Sequence, residues 1–408
     1  MDLQIFRAYS STQIDILREV FAYKSLSRSE IAEHLGVSSL TVINNIKRLL
    51  DDSVLIESGT LPSERGRKVS LLCVNPEFCY FIAADIGSNS TKLAVIRLDG
   101  SILWQNQIIR TSRKNIFEAY ITPDVLRNEI DQLLERFGRE RFCAMCFCIS
   151  GIVDFASKSV RYSANIAGWN GVSFEREFGD YFHLPVYLDS SGHCFALAER
   201  QFGQGHGADS MMAISIGCSI CTGIIFNGQL MRGASGSAGE LGHIDVSDNP
   251  YAQGYTNRLS CTCGHSGCME MYVTLPMIRW AVIQKMEAVE SIHVEPGSFE
   301  SRNIYTISWL KRAYEDKVPY VVETVTKAAH ILGTELANTA NLLNPNVLVL
   351  GGGTISACPD IVKIVEEDVK QRSLEIISND LRVVSSALGP DAPILGAFLL
   401  AAGDLFRI

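Results

Sequence analysis

Apolar residues recur at helical spacing three times in the first fifty positions. Ile14, Ile16, Leu17, Val20 and Phe21 predict a helix capped by Ser11 or Thr12. After Lys24, SRSEIAEHLG predicts a short second helix from about Ser29, and a third runs from about Ser39 to Leu50. Ala32 is small enough for two helices to cross closely, Gly36 permits the left-handed backbone of a tight turn, and Val37, Val42, Ile46 and Leu49 form a buried stripe. This is helix-turn-helix spacing. The next stretch, VLIESGTLPSERGRKVSLLCVNP, has two β-rich runs around a Gly, Pro and Ser turn, as a wing would.

Beyond Pro76 the pattern changes. FIAADIGSNSTKLAVIRLDGSILWQ predicts strand, glycine turn and strand, joined to a third strand at Asp99 and Gly100. MMAISIGCSICTGIIFNGQL repeats that texture, and NVLVLGGG ends another strand in three glycines, with helices between. The alternation predicts a mixed α/β body with two related lobes. Within PVYLDSSGHCFALAE, residues 185 to 199, a strand from Pro185 to Asp189 runs into an apolar helix ending in Glu199. Such junctions are where α/β proteins display catalytic carboxylates, yet this one carries Ser190, Ser191 and Gly192.

Composition refines the picture. The chain has 408 residues, 47% of them hydrophobic, enough for two or three domains. Its net charge of -9 argues against a chain that coats nucleic acid throughout. Residues 1 to 72 nevertheless balance nine Lys or Arg against nine Asp or Glu, so the acidity lies in the body. A DNA-binding head on an acidic body fits this asymmetry. In that reading the third helix enters the major groove, exposing Ser39, Thr41, Asn44, Asn45, Lys47 and Arg48, with Asn44 and Asn45 the candidates for base contact. Arg65, Arg67 and Lys68 at the wing would position the head on phosphates or follow the minor groove. A three-helix bundle that binds protein, or nothing, is the alternative.

No basic run leads into an apolar stretch at the N-terminus, and nowhere do about 18 uninterrupted apolar residues occur, which predicts a cytoplasmic protein with no membrane partner. Its twelve cysteines are then thiols or metal ligands rather than a disulfide framework. Cys143, Cys146 and Cys148 lie in an apolar run and read as core. By contrast, Cys261, Cys263 and Cys268 fall within eight residues, with Gly264 and Gly267 to fold the loop and His243 upstream. Three thiolates and one imidazole suit a tetrahedral structural zinc with no open position, with His265 in place of His243 as an alternative fourth ligand.

With these residues in view, the sequence resembles the ROK family of sugar kinases and sugar-responsive repressors, the latter with an added winged-helix head. The segments that carry the resemblance are the glycine turn at Asp85, GWN at 168 to 170, RGASGSAGELGH at 232 to 243, CTCGHSGCME at 261 to 270, NLLNPNVLVLGGG at 341 to 353 and GPDAPILGA at 389 to 397. The resemblance implies an α/β fold in which an N-terminal winged helix-turn-helix (residues 1 to 75) precedes a two-lobed, actin-like and hexokinase-like ribonuclease-H-like fold. Residues 76 to 190 and 386 to 408 would form the first lobe, and 191 to 385 the second, with the zinc loop. It also implies that Asn165, Glu240, His243 and Glu270 contact sugar hydroxyls in the cleft, His243 bridging sugar and zinc.

Where family kinases carry Asn-Asp, and that Asp takes the proton from the attacking sugar hydroxyl, this chain has Ser190 and Ser191. A neutral serine cannot act as that base, and losing a positioned general base costs about 10² to 10⁴ in rate. The kinase phosphate loop DxGGTK is here DIGSNSTK, and GTGIGGG is GCSICTG, whose Ser219, Cys221 and Thr222 would crowd a nucleotide. If residues 189 to 191 are extended, Asp189 and Ser191 face the same side and Asp189 becomes a substitute base. The expectation is therefore a non-enzymatic regulator, most simply a repressor of carbohydrate genes. It would bind an operator as a homodimer or tetramer and respond to a sugar, a sugar derivative or a sugar-transport protein. The alternatives are a sugar kinase with a DNA-binding head and a regulator whose cleft is vestigial.

Overall fold

A computed structural model describes residues 4–61, 69–88, 90–109, 121–163, 166–253, 259–290 and 307–407. The wing residues Arg65, Arg67 and Lys68 and the sugar-contact candidate Asn165 lie outside them. The chain divides into two compact units, residues 1–149, 153–189 and 397–408 in one and 150–152 and 190–396 in the other.

The first unit begins with a short α1 (Gln4–Arg7), then α2 (Ser11–Tyr23), β1 (Leu26–Ser27), α3 (Arg28–Leu35), α4 (Ser39–Asp51), β2 (Leu55–Leu61) and β3 (Val69–Val74). The cap of α2 is Ser10, one residue before the position expected. Its hydroxyl accepts the Gln13 N–H while the Gln13 side chain returns to the Ser10 N–H, a reciprocal capping box. Ser27 and Glu30 build the same device at α3, so that helix starts at Arg28. Gly36 ends it in the left-handed conformation, φ 62°, and donates to the Ala32 and Glu33 carbonyls. Val42, Ile46 and Leu49 are buried as the stripe predicts, whereas Val37 is only half-buried. The strands order as β1-β3-β2 in a winged sheet, with a register shift between Glu57 and Thr60 that Gly59 accommodates at φ 70°.

The same unit holds a five-stranded sheet of order β10-β7-β4-β5-β6, from β4 (Tyr80–Ile86), β5 (Ser90–Arg97), β6 (Ile102–Ile109), β7 (Phe142–Ile149) and β10 (Val186–Ser190). The ribbon of β8 (Ile152–Asp154) and β9 (Ser159–Tyr162) and the short α6 (Asp180–Phe182) lie between the last two in sequence. β4 runs antiparallel to β5 and parallel to β7, and α5 (Pro123–Phe137) packs Leu126, Ile130, Leu133 and Leu134 into the core. Cys143, Cys146 and Cys148 are fully buried in β7. Trp169 of the GWN segment is buried too, stacked on Phe174 and donating its indole N–H to the Ile121 carbonyl. An aromatic seam joins head to lobe: Phe6 and Phe21 both pack on Phe406, at 6.0 and 4.7 Å between ring centroids, and Phe21 and Phe81 both pack on Phe398.

The second unit repeats the strand order. Its sheet runs β13-β12-β11-β14-β15, from β11 (Met211–Ile216), β12 (Ile220–Phe226), β13 (Gln229–Leu230), β14 (Val347–Gly351) and β15 (Arg382–Ser385). β11 is antiparallel to β12 and parallel to β14, matching β4 with β5 and β7. Two long helices, Pro319–Leu343 and Asp360–Arg372, cover it with Val321, Val325, Leu332, Leu336, Val365 and Val369. Two sheets with the same hairpin-plus-crossover order are what the repeated strand texture predicted.

Among the described residues no helix is long and apolar enough to cross a membrane.

Candidate functional site

The head's outward face is built by α4. Its buried stripe turns Leu40, Ile43, Asn44 and Lys47 to solvent, with Leu40 at 66% and Ile43 at 50% exposure. Ser39 is exposed as well. Thr41 is half-buried, its hydroxyl 2.8 Å from that of the cap residue Ser38. Two expected contacts are engaged within the head. Asn45 donates to the Thr41 carbonyl at 2.9 Å and accepts from the Ser10 hydroxyl at 3.4 Å. Arg48 donates to the Ala8 carbonyl at 3.2 Å, lies over the Tyr9 ring and pairs with Asp52 at 3.6 Å. Asn44 and Lys47 therefore remain as exposed polar side chains in the middle of the helix, while Asn45 and Arg48 brace it. Leu40 and Ile43 escaped sequence reasoning, although apolar residues off the buried stripe were a visible signal.

The second cluster lies in the second unit. The ligating atoms of His243, Cys261, Cys263 and Cys268 all fall within 4.8 Å of one another, and His265 is not a member of that group. Cys261 Sγ is 3.7 Å from His243 Nδ1 and Cys263 Sγ is 3.6 Å from Cys268 Sγ. A tetrahedral zinc with Zn–S of about 2.3 Å and Zn–N of about 2.0 Å needs ligand–ligand edges of roughly 3.5–3.8 Å, so the donor set and spacing fit. The loop is shaped by Gly264 and Gly267, at φ 91° and 88°, and by the Cys261 N–H donating to the His265 carbonyl. A side chain at 267 would come within 2.3 Å of the Asp245 carboxylate. The backbone N–H of His265 draws the Cys263 thiol down to about 6, whereas burial pushes Cys268 up to about 12.

His243 ends the 3₁₀ turn Leu241–His243, and its other nitrogen, Nε2, lies 3.7 Å from Glu240 Oε2. Glu270, buried at the start of the helix Glu270–Val273, accepts the Ile220 N–H at 3.0 Å. Gly242 lets the turn lie close on β12: a Cβ there would sit 3.1 Å from Ile220 Cβ. Burial raises the pKa of both carboxyls, opposed at Glu270 by the Ile220 N–H and at Glu240 by His243. His193 was not anticipated. It is buried in the first turn of α7 (Ser191–Phe202), 3.3 Å from the Ala238 carbonyl and close enough to influence Glu240 electrostatically.

At the junction, β10 reaches Ser190, which caps α7 by accepting the His193 N–H at 3.2 Å. Ser191 is thus the first helical residue and not part of an extended run, so the alternation that would set Asp189 and Ser191 on one side does not hold. The glycines of α7 and β12 have a packing role. A Cβ on Gly192 would sit 2.5 Å from the Thr222 carbonyl oxygen, and one on Gly223 would sit 2.3 Å from the Gly192 carbonyl oxygen. Helix and strand touch backbone to backbone there. Glu199, fully buried, holds the far end of α7 by accepting the Ser386 hydroxyl and the Gln204 N–H.

The winged helix-turn-helix DNA-binding pattern matches residues 10–56, and the ROK family pattern matches residues 81–404. The xylose repressor of Bacillus subtilis is 24% identical over 93% of this chain and 92% of its own length. The transcriptional dual regulator NagC of Escherichia coli is 23% identical over 94% and 90%. Among solved structures, a ROK family transcriptional regulator described as a homolog of the E. coli MLC protein superposes with a TM-score of 0.74, at 23% identity over 97% of this chain and 96% of that one. A ROK family glucokinase from Streptomyces griseus, in complex with glucose and AMPPNP, gives 0.64 at 23% identity over 78% and 97%. The family pattern spans most of the chain, and a ROK family structure superposes on nearly all of it: this chain belongs to the ROK family.

Proposed function

We propose that the protein is a sugar-responsive, DNA-binding transcriptional repressor of carbohydrate genes. The observation that carries this reading is the winged head with its α4 face open to solvent, on a chain that aligns from end to end with repressors and only over 78% of its length with the glucokinase. Asn44 reads bases while Lys47 and the wing residues Arg65, Arg67 and Lys68 hold phosphates. The operator is bound by a dimer, one head per half-site.

The effector is a sugar or sugar derivative, recognised by Glu240, His243 and Glu270, with Asn165 a further contact. Carboxylates accept hydroxyl protons, and a ring nitrogen fixed by metal presents a defined tautomer. A zinc held by His243, Cys261, Cys263 and Cys268 would supply structural rigidity and orient that imidazole. Phosphoryl transfer is absent, because Ser191 at the start of α7 carries no base and Gly192 and Gly223 serve helix–strand packing.

The test is selection of genomic fragments by the purified chain, in parallel with incubation with Mg-ATP and a sugar panel. The reading expects specific fragments and no phosphorylated sugar. Phosphorylation that collapses in Asp189→Ala, with no fragment selected, would overturn it in favour of a kinase.

A further inference from the structure

Leu40 and Ile43 stand out on the head. Apart from Tyr23, which packs on His34 at 4.7 Å, they are its only exposed large apolar side chains among the described residues. They belong to the same helix as the buried Val42, Ile46 and Leu49, but to its opposite face. With Asn44 and Lys47 they occupy positions 40, 43, 44 and 47, the i, i+3, i+4, i+7 spacing of one stripe. The head's core does not use them, for α4 is already anchored by its buried stripe and by Arg48 and Asn45. They lie in the first half of α4, the part of a recognition helix that reaches base edges.

The chemistry of the partner follows from the stripe. Among base edges in the major groove, only thymine presents a methyl group, and aliphatic side chains read it by excluding water. An amide beside them, Asn44, matches the N6 and N7 pair of adenine, and Lys47 at the end of the stripe supplies the positive charge that a phosphate backbone needs. We infer that Leu40 and Ile43 are specificity-determining residues that pack on thymine C5-methyl groups in the operator, flanking the base read by Asn44. The inference rests on the DNA-binding reading above.

Replacing thymine by deoxyuracil removes that methyl and leaves pairing unchanged. Duplexes selected from a random-sequence pool by the full-length protein are resynthesised with deoxyuracil at single positions. They are then titrated against the native chain, Leu40→Ala and Ile43→Ala, both substitutions being at exposed sites and checked for an unchanged melting temperature. The native protein should lose about fourfold in affinity at one or two positions, the value for one buried methyl. Leu40→Ala and Ile43→Ala should each become indifferent to deoxyuracil at one of them. Specific binding that ignores deoxyuracil, or that loses equally in all three proteins, overturns the inference and leaves the DNA-binding reading standing. Weakened binding in the variants together with dissociation into smaller oligomers also overturns it, placing the two side chains against a second copy of the chain. If the native protein enriches no sequence, the underlying reading fails and the inference with it.

Discussion

His243 Nδ1 lies 3.7 Å from Cys261 Sγ, a separation that suits two ligands of one tetrahedral ion. The same ring turns Nε2 toward Glu240, so a metal held on one side would set what the other side offers a sugar. Protein purified without chelator should contain about one zinc per chain. Cys268→Ser should lose it and lower the melting temperature, and chelation should lower the melting temperature of the native chain, since metal bound only by the folded state stabilises by linkage. Elemental analysis that finds far less metal, or a chelator without effect on melting, would dismiss the zinc assignment.

Close approach of backbone to backbone makes a second prediction. Gly396 faces the Cys194 carbonyl so closely that a Cβ would fall 1.7 Å from its oxygen, and Gly192 meets Thr222 similarly. Alanine at either site should destabilise the chain by at least about 1–3 kcal/mol, the range for overpacking. Urea unfolding measures it. Stability within error of the native chain at both sites would contradict the packing described.

The first lobe carries an ion cluster whose pH dependence has a definite sign. Glu77 accepts the Tyr80 hydroxyl and the guanidinium groups of Arg97 and Arg141, and these hold its carboxyl below the usual 4.5, the Tyr80 hydroxyl contributing most. A depressed folded pKa means stability that is complete above about 4.5 and is lost as pH falls through the folded value. Half the side chain is exposed, so the contribution is screened to about 0.5–1 kcal/mol. Glu77→Gln should therefore be less stable than the native chain near pH 7, with a gap that narrows as pH falls below about 4.5, as read from urea midpoints. A gap that persists at the acid end would point to lost packing.

On DNA, Asn44 and Lys47 of α4 should behave differently. Asn44→Ala should cost about 1–3 kcal/mol on the selected sequence and relax preference at one base pair. Lys47→Ala should weaken all sequences alike and reduce the salt slope by about one. Equal losses on specific and random DNA for Asn44→Ala would remove it as a base reader.

These residues also mark what the sequence made legible. The helix-turn-helix was readable because its determinants are local: Ala32, Gly36 and a stripe repeating every three or four positions. The thiolate cluster was readable because three of its ligands lie in one short loop. Apart from Leu40 and Ile43, what escaped depends on contacts between residues far apart in the chain. That Arg48 braces the head could not be read until Ala8 and Tyr9, some forty positions earlier, are brought beside it. Gly223 looks like a phosphate-loop remnant until α7, with Gly192, is laid on β12. His193 had no motif to announce it, and its nearness to Glu240 arises only from the fold.

The central claim is that one chain couples DNA binding to a sugar. It is tested most directly by measuring affinity for a selected operator fragment while titrating sugars and sugar phosphates, in the native chain and in Glu270→Gln. The account predicts that one sugar class shifts operator affinity and that Glu270→Gln blunts the shift without altering affinity in the sugar's absence. Operator affinity indifferent to every sugar would contradict it, and would turn the search toward a protein partner.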